Sequence, residues 1–186
     1  MAEGLWDDFA EPVVYIRYKG VWDMQDLYES IAEWFRRRKY KFHERVYKHK
    51  HPSPFGVERQ YIWQAERYET EYVKIHYDIY IHTYDAHDVE VAMPDGSRKT
   101  FTKGRIWIEI KANLVSDWEK RFDESLFLTH LKSFYNKYII KKNFTMGWGP
   151  KLRYEMYDLH AMIKRKLKME SEEYEHRYFS GVYRKY

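Results

Sequence analysis

At 186 residues, with only eight glycines and five prolines, the chain can bury one sizeable hydrophobic core and is poor in backbone breakers, which points to long regular elements. It contains no cysteine, which excludes a disulfide framework, a thiolate zinc site and a cysteine nucleophile, and makes a reducing compartment the simplest setting. The formal charge of +4 hides a segregation: residues 36–51 hold eight Lys/Arg against Glu44 alone, and residues 132–168 hold ten against Glu155 and Asp158, so the remainder is acidic.

Residues 13–21 (VVYIRYKGV) are β-branched and aromatic and read as a first strand. Asp23 is placed to cap a helix, with Asp26 in its first turn. Met24, Leu27, Ile31, Trp34 and Phe35 then recur on one face for about four turns. The run Arg36, Arg37, Arg38, Lys39 closes that helix where cations offset its dipole. Two prolines and a glycine at 51–56 dictate a turn. Strands follow near 58–69, 71–84 and 88–92. In the second of these Val73, Ile75, Tyr77, Ile79 and Ile81 alternate with Lys74, His76, Asp78, Tyr80 and His82, the pattern of a half-buried strand.

The tetrapeptide 94–97 (PDGS) is a turn signal, and 99–102 reads as a short hairpin strand. After Gly104 a second alternation sends Ile106, Ile108, Ile110 and Ala112 inward and Trp107, Glu109, Lys111 and Asn113 outward. The period then changes. Phe127, Leu131, Phe134 and Tyr138 form an apolar stripe in a helix over about 123–142, and 144–150 (FTMGWGP) breaks it. A last helix starts near Pro150 and buries Leu152, Met156, Leu159, Ile163 and Leu167. Residues 170–186 read as a loose tail or an edge strand. The expected fold is a single α+β domain spanning 1–186, with one antiparallel meander of six to seven strands and amphipathic helices on one face.

This order resembles the helix-grip arrangement of START and Bet v 1-like proteins, in which a curved sheet wraps a long C-terminal helix. The likeness is one of topology, with no motif behind it. One early helix and an extra basic helix after the gripping one depart from the pattern. It implies a cavity between sheet and helices for an apolar or amphipathic small ligand, lined by Tyr77, Ile79, Ile81, Ile106, Ile108, Phe127, Leu131 and Phe134. That non-enzymatic binding role is the leading expectation.

Two alternatives stay open beside it. Arg36, Arg37, Arg38, Lys39 and Lys41 lie next to Tyr40 and Phe42, and Lys164, Arg165, Lys166 and Lys168 form one side of the last helix. Cations interleaved with aromatics can neutralise phosphates and stack bases, so these segments, within 36–51 and 151–168, fit a nucleic-acid or ribonucleoprotein module. The third reading is a subunit of a larger assembly, or of a homo-oligomer, docking through Trp107, Tyr80, Tyr84 and His82 on the outer sheet face.

Other chemistry finds little footing. At about 3.4 Å per strand residue, His76 and His82 lie too far apart to share an ion, so no metal is expected. The glycines and cations of 147–153 (GWGPKLR) have the shape of an anion site at a helix start. No Gly-x-Ser-x-Gly motif or other catalytic constellation is apparent, and neither enzyme activity nor a cofactor is expected. The acidic N-terminus is unlike a signal or transit peptide, and no apolar run reaches the roughly eighteen residues of a membrane span; a cytoplasmic location is expected.

Overall fold

The computed structural model describes residues 8–53, 56–92, 96–122 and 125–169. Strands β1 (Asp8–Ala10) and β2 (Val14–Trp22) precede helix α1 (Met24–Arg37). Strands β3 (Lys41–Ser53), β4 (Gly56–Tyr68), β5 (Val73–Ala92) and β6 (Arg98–Ser116) then run as an antiparallel meander. The sheet order is β1-β6-β5-β4-β3, and β2 pairs β6 along the same edge as β1, so the sheet is five strands wide. That is fewer than the six to seven expected. The segments near 88–92 and 99–102 are continuations of β5 and β6, carried past a bulge between Tyr84 and His87.

The two alternations behave as their period demands. Val73, Ile75, Tyr77, Ile79 and Ile81 on β5 and Ile106, Ile108, Ile110, Ala112 and Leu114 on β6 are all buried on one face. Tyr77, the largest of them, pairs with Ala65 on one side and Ala112 on the other, which makes room for its ring against Trp34, Phe35 and Tyr40. Helix α1 covers part of this face. Asp23 caps it by accepting from the Asp26 amide at 3.0 Å, and Leu27, Ile31, Trp34 and Phe35 are its buried stripe.

The helical segment after the sheet departs from expectation twice. First, 144–150 does not break it. Helix α2 (Leu126–Phe134) passes through a π-helical turn (Tyr135–Ile140), the short α3 (Lys141–Asn143) and a second π-helical turn (Phe144–Trp148) into α4 (Gly149–Lys166), and every junction keeps right-handed helical dihedrals. The widened turns absorb Gly147, Gly149 and Pro150 without a loop. Consequently no helix starts at 147–153, and that stretch offers no terminal amides to an anion.

Second, the stripe on α2 faces outward. Leu126 and Phe127 are 82% and 74% exposed, and Leu131, Phe134 and Tyr138 are exposed as well, while Lys132 and Asn136 are buried. The inward side is a polar anchor. The Lys132 ammonium lies 3.4 Å from the Asp117 carboxylate, and Asn136 accepts from the Tyr72 hydroxyl at 2.7 Å and donates to Ser116 at 3.2 Å. Helix α4 does cover the sheet as expected, with Leu152, Met156, Leu159, Ile163 and Leu167 buried. Residues 94 and 95 of the turn at 94–97, and the whole tail at 170–186, lie outside the described residues.

Asp117 also accepts from the Arg121 and Phe122 amides, at 2.9 and 3.2 Å, in a left-handed backbone at φ 48°. Asp117→Ala removes a carboxylate that a buried ammonium and two backbone amides share, so urea unfolding is expected to show a loss of about 3 kcal/mol.

Candidate functional site

The helices occupy one face of the sheet, and the other face is open. On it the period-two alternation brings three outward rows together. Register places Arg17 beside Trp107 and Trp107 beside His82, with Lys19, Arg105 and Tyr84 forming the adjacent row and Tyr15, Glu109 and Tyr80 the row on the other side. Trp107 is the centre. Its ring stacks on Tyr15 at 6.3 Å and 29°, meets Tyr80 edge-on at 6.1 Å, and lies 5.7 Å from the Arg17 guanidinium. The Trp107 indole N–H is buried without a hydrogen-bond partner among the described residues. His82 and Tyr84 stack at 3.8 Å, and Arg105 sits 5.7 Å over the Tyr84 ring while pairing with Asp85.

Two open grooves run along this edge. One, of about 370 Å³, is lined by Arg17, Lys19, Tyr84, Arg105 and Trp107 among others; the next, of about 760 Å³, shares Lys19 and Arg105 and adds Lys103, His87 and Asp85. Four cations thus line the strip against one carboxylate. Gly20 pairs with Gly104 in its floor. A Cβ at Gly104 would come within 2.8 Å of the Tyr84 carbonyl oxygen, so glycine is what lets the bulged backbone approach there.

Further along the open face, His76 bridges two carboxylates, Glu66 at Nδ1 and Asp78 at Nε2, both at 3.1 Å. Lys74 completes the pairing of Glu66 and Gln64 that of Asp78. Among the described residues no group of three or more His, Asp or Glu is placed to hold a metal ion.

The residues expected to line a ligand cavity separate into two sets. Tyr77, Ile79, Ile81, Ile106 and Ile108 meet in the core, packed with Phe35, Trp63, Leu152 and Met156, whereas Phe127, Leu131 and Phe134 point to solvent on α2. The helix anchored by Lys132 and Asn136 cannot present both sides to the sheet.

The two basic segments expected for nucleic acid also stay apart. Arg38 pairs with Asp158 of α4 and Lys166 with Asp26 of α1, so the two helices are antiparallel and the clusters sit at opposite ends. Within the first, Arg37 pairs with Glu33 and Lys41 lies over the Tyr68 ring at 5.3 Å, while Arg36 and Lys39 are exposed. In the second, Arg165 and Lys168 are exposed and Lys164 is half-buried. Near the first cluster, Glu155 accepts from the Tyr40 hydroxyl at 2.6 Å and from Arg67 at 3.1 Å, a closed network in which burial pushes the Tyr40 phenol well up. These contacts fasten α4 to α1 and β4.

The outward positions of Trp107, Tyr80, Tyr84 and His82 were legible from alternation. Tyr15, Arg17, Lys19, Lys103 and Arg105 carry no motif of their own in the sequence. The same alternation extended along residues 13–21 is the signal that finds the first three.

His76 and His82 should titrate in opposite senses. The Asp78 hydrogen bond raises His76 above its ordinary 6.5, and desolvation lowers His82 below it. His76 therefore contributes stability that is full below about pH 6.5 and is lost as pH rises through its folded value; His82 favours folding above about pH 6.5 and loses that as pH falls. NMR titration is expected to resolve the two on either side of 6.5, with His76→Gln costing more at pH 5.5 than at pH 8. Comparison with protein-family models and with curated proteins gives no match, so this site is read from its own chemistry.

Proposed function

We propose that the open sheet face binds single-stranded nucleic acid. The observation that carries this reading is the combination, on the uncovered face, of the Trp107 and Tyr84 rings, with Tyr15 stacked on Trp107, and of Arg17, Lys19, Lys103 and Arg105 along two adjoining grooves. Single strands offer regularly spaced phosphates and unpaired π-faces, and a cationic groove with aromatic platforms meets both needs. Among the described residues Arg17, Lys19 and Lys103 make no ion pair, so their charge is available to a polyanion. The reading keeps the nucleic-acid class but moves its residues from the helix ends to β2 and β6.

A helix-grip topology is the second reading. β2 leads through α1 to β3 at the far edge, the meander returns to β2, and α4 lies on the inner face. Its occupant would be a small apolar or amphipathic ligand beside Tyr77, Ile79, Ile81, Ile106 and Ile108, detected as added mass in native mass spectrometry of protein purified at low salt.

Anisotropy of labelled oligo-dT and oligo-U across a salt series tests the first reading. Four phosphate contacts would give a slope of about −3 in log K against log salt. Tyr15→Ala, at an exposed position, and the pair Arg17→Glu with Lys19→Glu are each expected to weaken binding about tenfold or more, through stacking and charge respectively. Arg36→Glu with Arg37→Glu on α1 should change little. Binding that ignores salt, or that falls with the α1 pair and not with the sheet pair, removes the proposal.

A further inference from the structure

The outward side of the helix beginning at Leu126 is a second surface, on a different element from the open sheet face. Leu126, Phe127, Leu131, Phe134, Tyr138 and Ile139 are all exposed, and the Phe134 and Tyr138 rings lie 5.0 Å apart. A folded chain rarely leaves so many large apolar side chains contiguous in water unless something covers them. The charge pattern says what kind of cover fits. From residue 125 to residue 154 there is no Asp or Glu, while Lys137, Lys141 and Lys142 are exposed beside the apolar side chains. Lys132, the cation that turns inward, is matched by Asp117.

Pairing with a second copy of the same helix would set lysines against lysines with no carboxylate from that stretch to relieve them, which disfavours a two-fold contact. A bilayer with anionic headgroups offers acyl chains to the rings and phosphates to the lysines, at the depth an in-plane amphipathic helix reaches. We propose that the helix running from α2 through the first π-helical turn into α3 docks in the plane of an anionic lipid surface. Phe127, Leu131, Phe134 and Tyr138 enter the acyl boundary, and Lys137, Lys141 and Lys142 meet the headgroups. The attachment is peripheral: among the described residues no helix is long and apolar enough to cross a membrane. The polar anchor of Lys132 and Asn136 holds the apolar side outward before contact, so no unfolding is needed to present it.

The test is co-sedimentation with vesicles of phosphatidylcholine alone and of phosphatidylcholine mixed with phosphatidylglycerol. The full chain is expected to partition onto the mixed vesicles at least about tenfold better than onto the neutral ones, and to be released by salt. Phe127→Ser with Phe134→Ser should lower that partitioning by about tenfold or more. Lys137→Gln with Lys141→Gln and Lys142→Gln should remove the preference for the anionic lipid. All these positions are exposed, so circular dichroism and melting temperature should be unchanged, and Tyr15→Ala on the sheet should leave vesicle binding intact. A folded protein that ignores both vesicles overturns the proposal, as does equal binding to both. A dimer in sedimentation that the Phe127→Ser, Phe134→Ser pair dissociates also overturns it, in favour of self-association.

Discussion

The register of β5 against β6 is the constraint on which both faces of the molecule depend. Side chains alternate with a period of two, so a slip by one residue would exchange the inner and outer sets along the whole strand. In the observed register Ile75, Tyr77, Ile79 and Ile81 stand opposite Leu114, Ala112, Ile110 and Ile108. Full burial of each aliphatic side chain is worth roughly 1.5–3 kcal/mol, and a slip would forfeit most of them together. The same pairing sets His82 beside Trp107 and Tyr84 beside Arg105 on the open side. Core stability therefore holds the outward aromatic and cationic row in place, although that row contributes little to the core itself.

The long strands are kept from running straight by local devices near one end. The bulge between Tyr84 and His87 puts Asp85 at φ 51°, and Gly56 at φ 124° passes so close to the Asp85 backbone that a Cβ there would lie 2.7 Å from it. With Gly104 opposite, the sheet bends where side chains are missing. The second groove lies at that place, between Gly20, Gly104 and the bulge. A bend that exists for backbone reasons thus also opens the surface on which Lys19, Lys103 and Arg105 are displayed.

How much could be read from the chain depends on the range of the interaction that decides each element. The inward residues of β5 and β6, the Asp23 cap and the Leu152 to Leu167 stripe are local patterns, and the structure keeps them. β3 is legible only as a basic segment, since its residues Lys41–Ser53 are rich in Lys, Arg and His and it lies at the sheet edge, where charge is tolerated and discourages further pairing. A 3.6-residue stripe reports that a helix has two sides; it does not report which side meets protein. For α2 that choice follows from Asp117 reaching Lys132 and from Tyr72 reaching Asn136, contacts between residues far apart in sequence. Gly147 to Pro150 looked like an end because glycine and proline lack helical propensity, but a π-helical turn accommodates them.

Charge shows the same dependence on partners. In the segments richest in Lys and Arg, several cations are taken up by the fold: Arg38 by Asp158, Lys151 by Glu69, Arg153 by Glu11 and Lys166 by Asp26, pairs that hold the helices to one another and to the sheet. A count along the chain sees those cations and not their acids, which lie up to 142 residues away. The exposed cations of β2 and β6 are fewer, and they sit in stretches with no conspicuous excess. They gain weight because the strands that carry them are adjacent and their carboxylate neighbours, Glu109 and Asp85, already hold Lys111 and Arg105. The field felt by an approaching ligand is set by cations left over after internal pairing. By that measure the open sheet face beside Trp107 outranks either helix end.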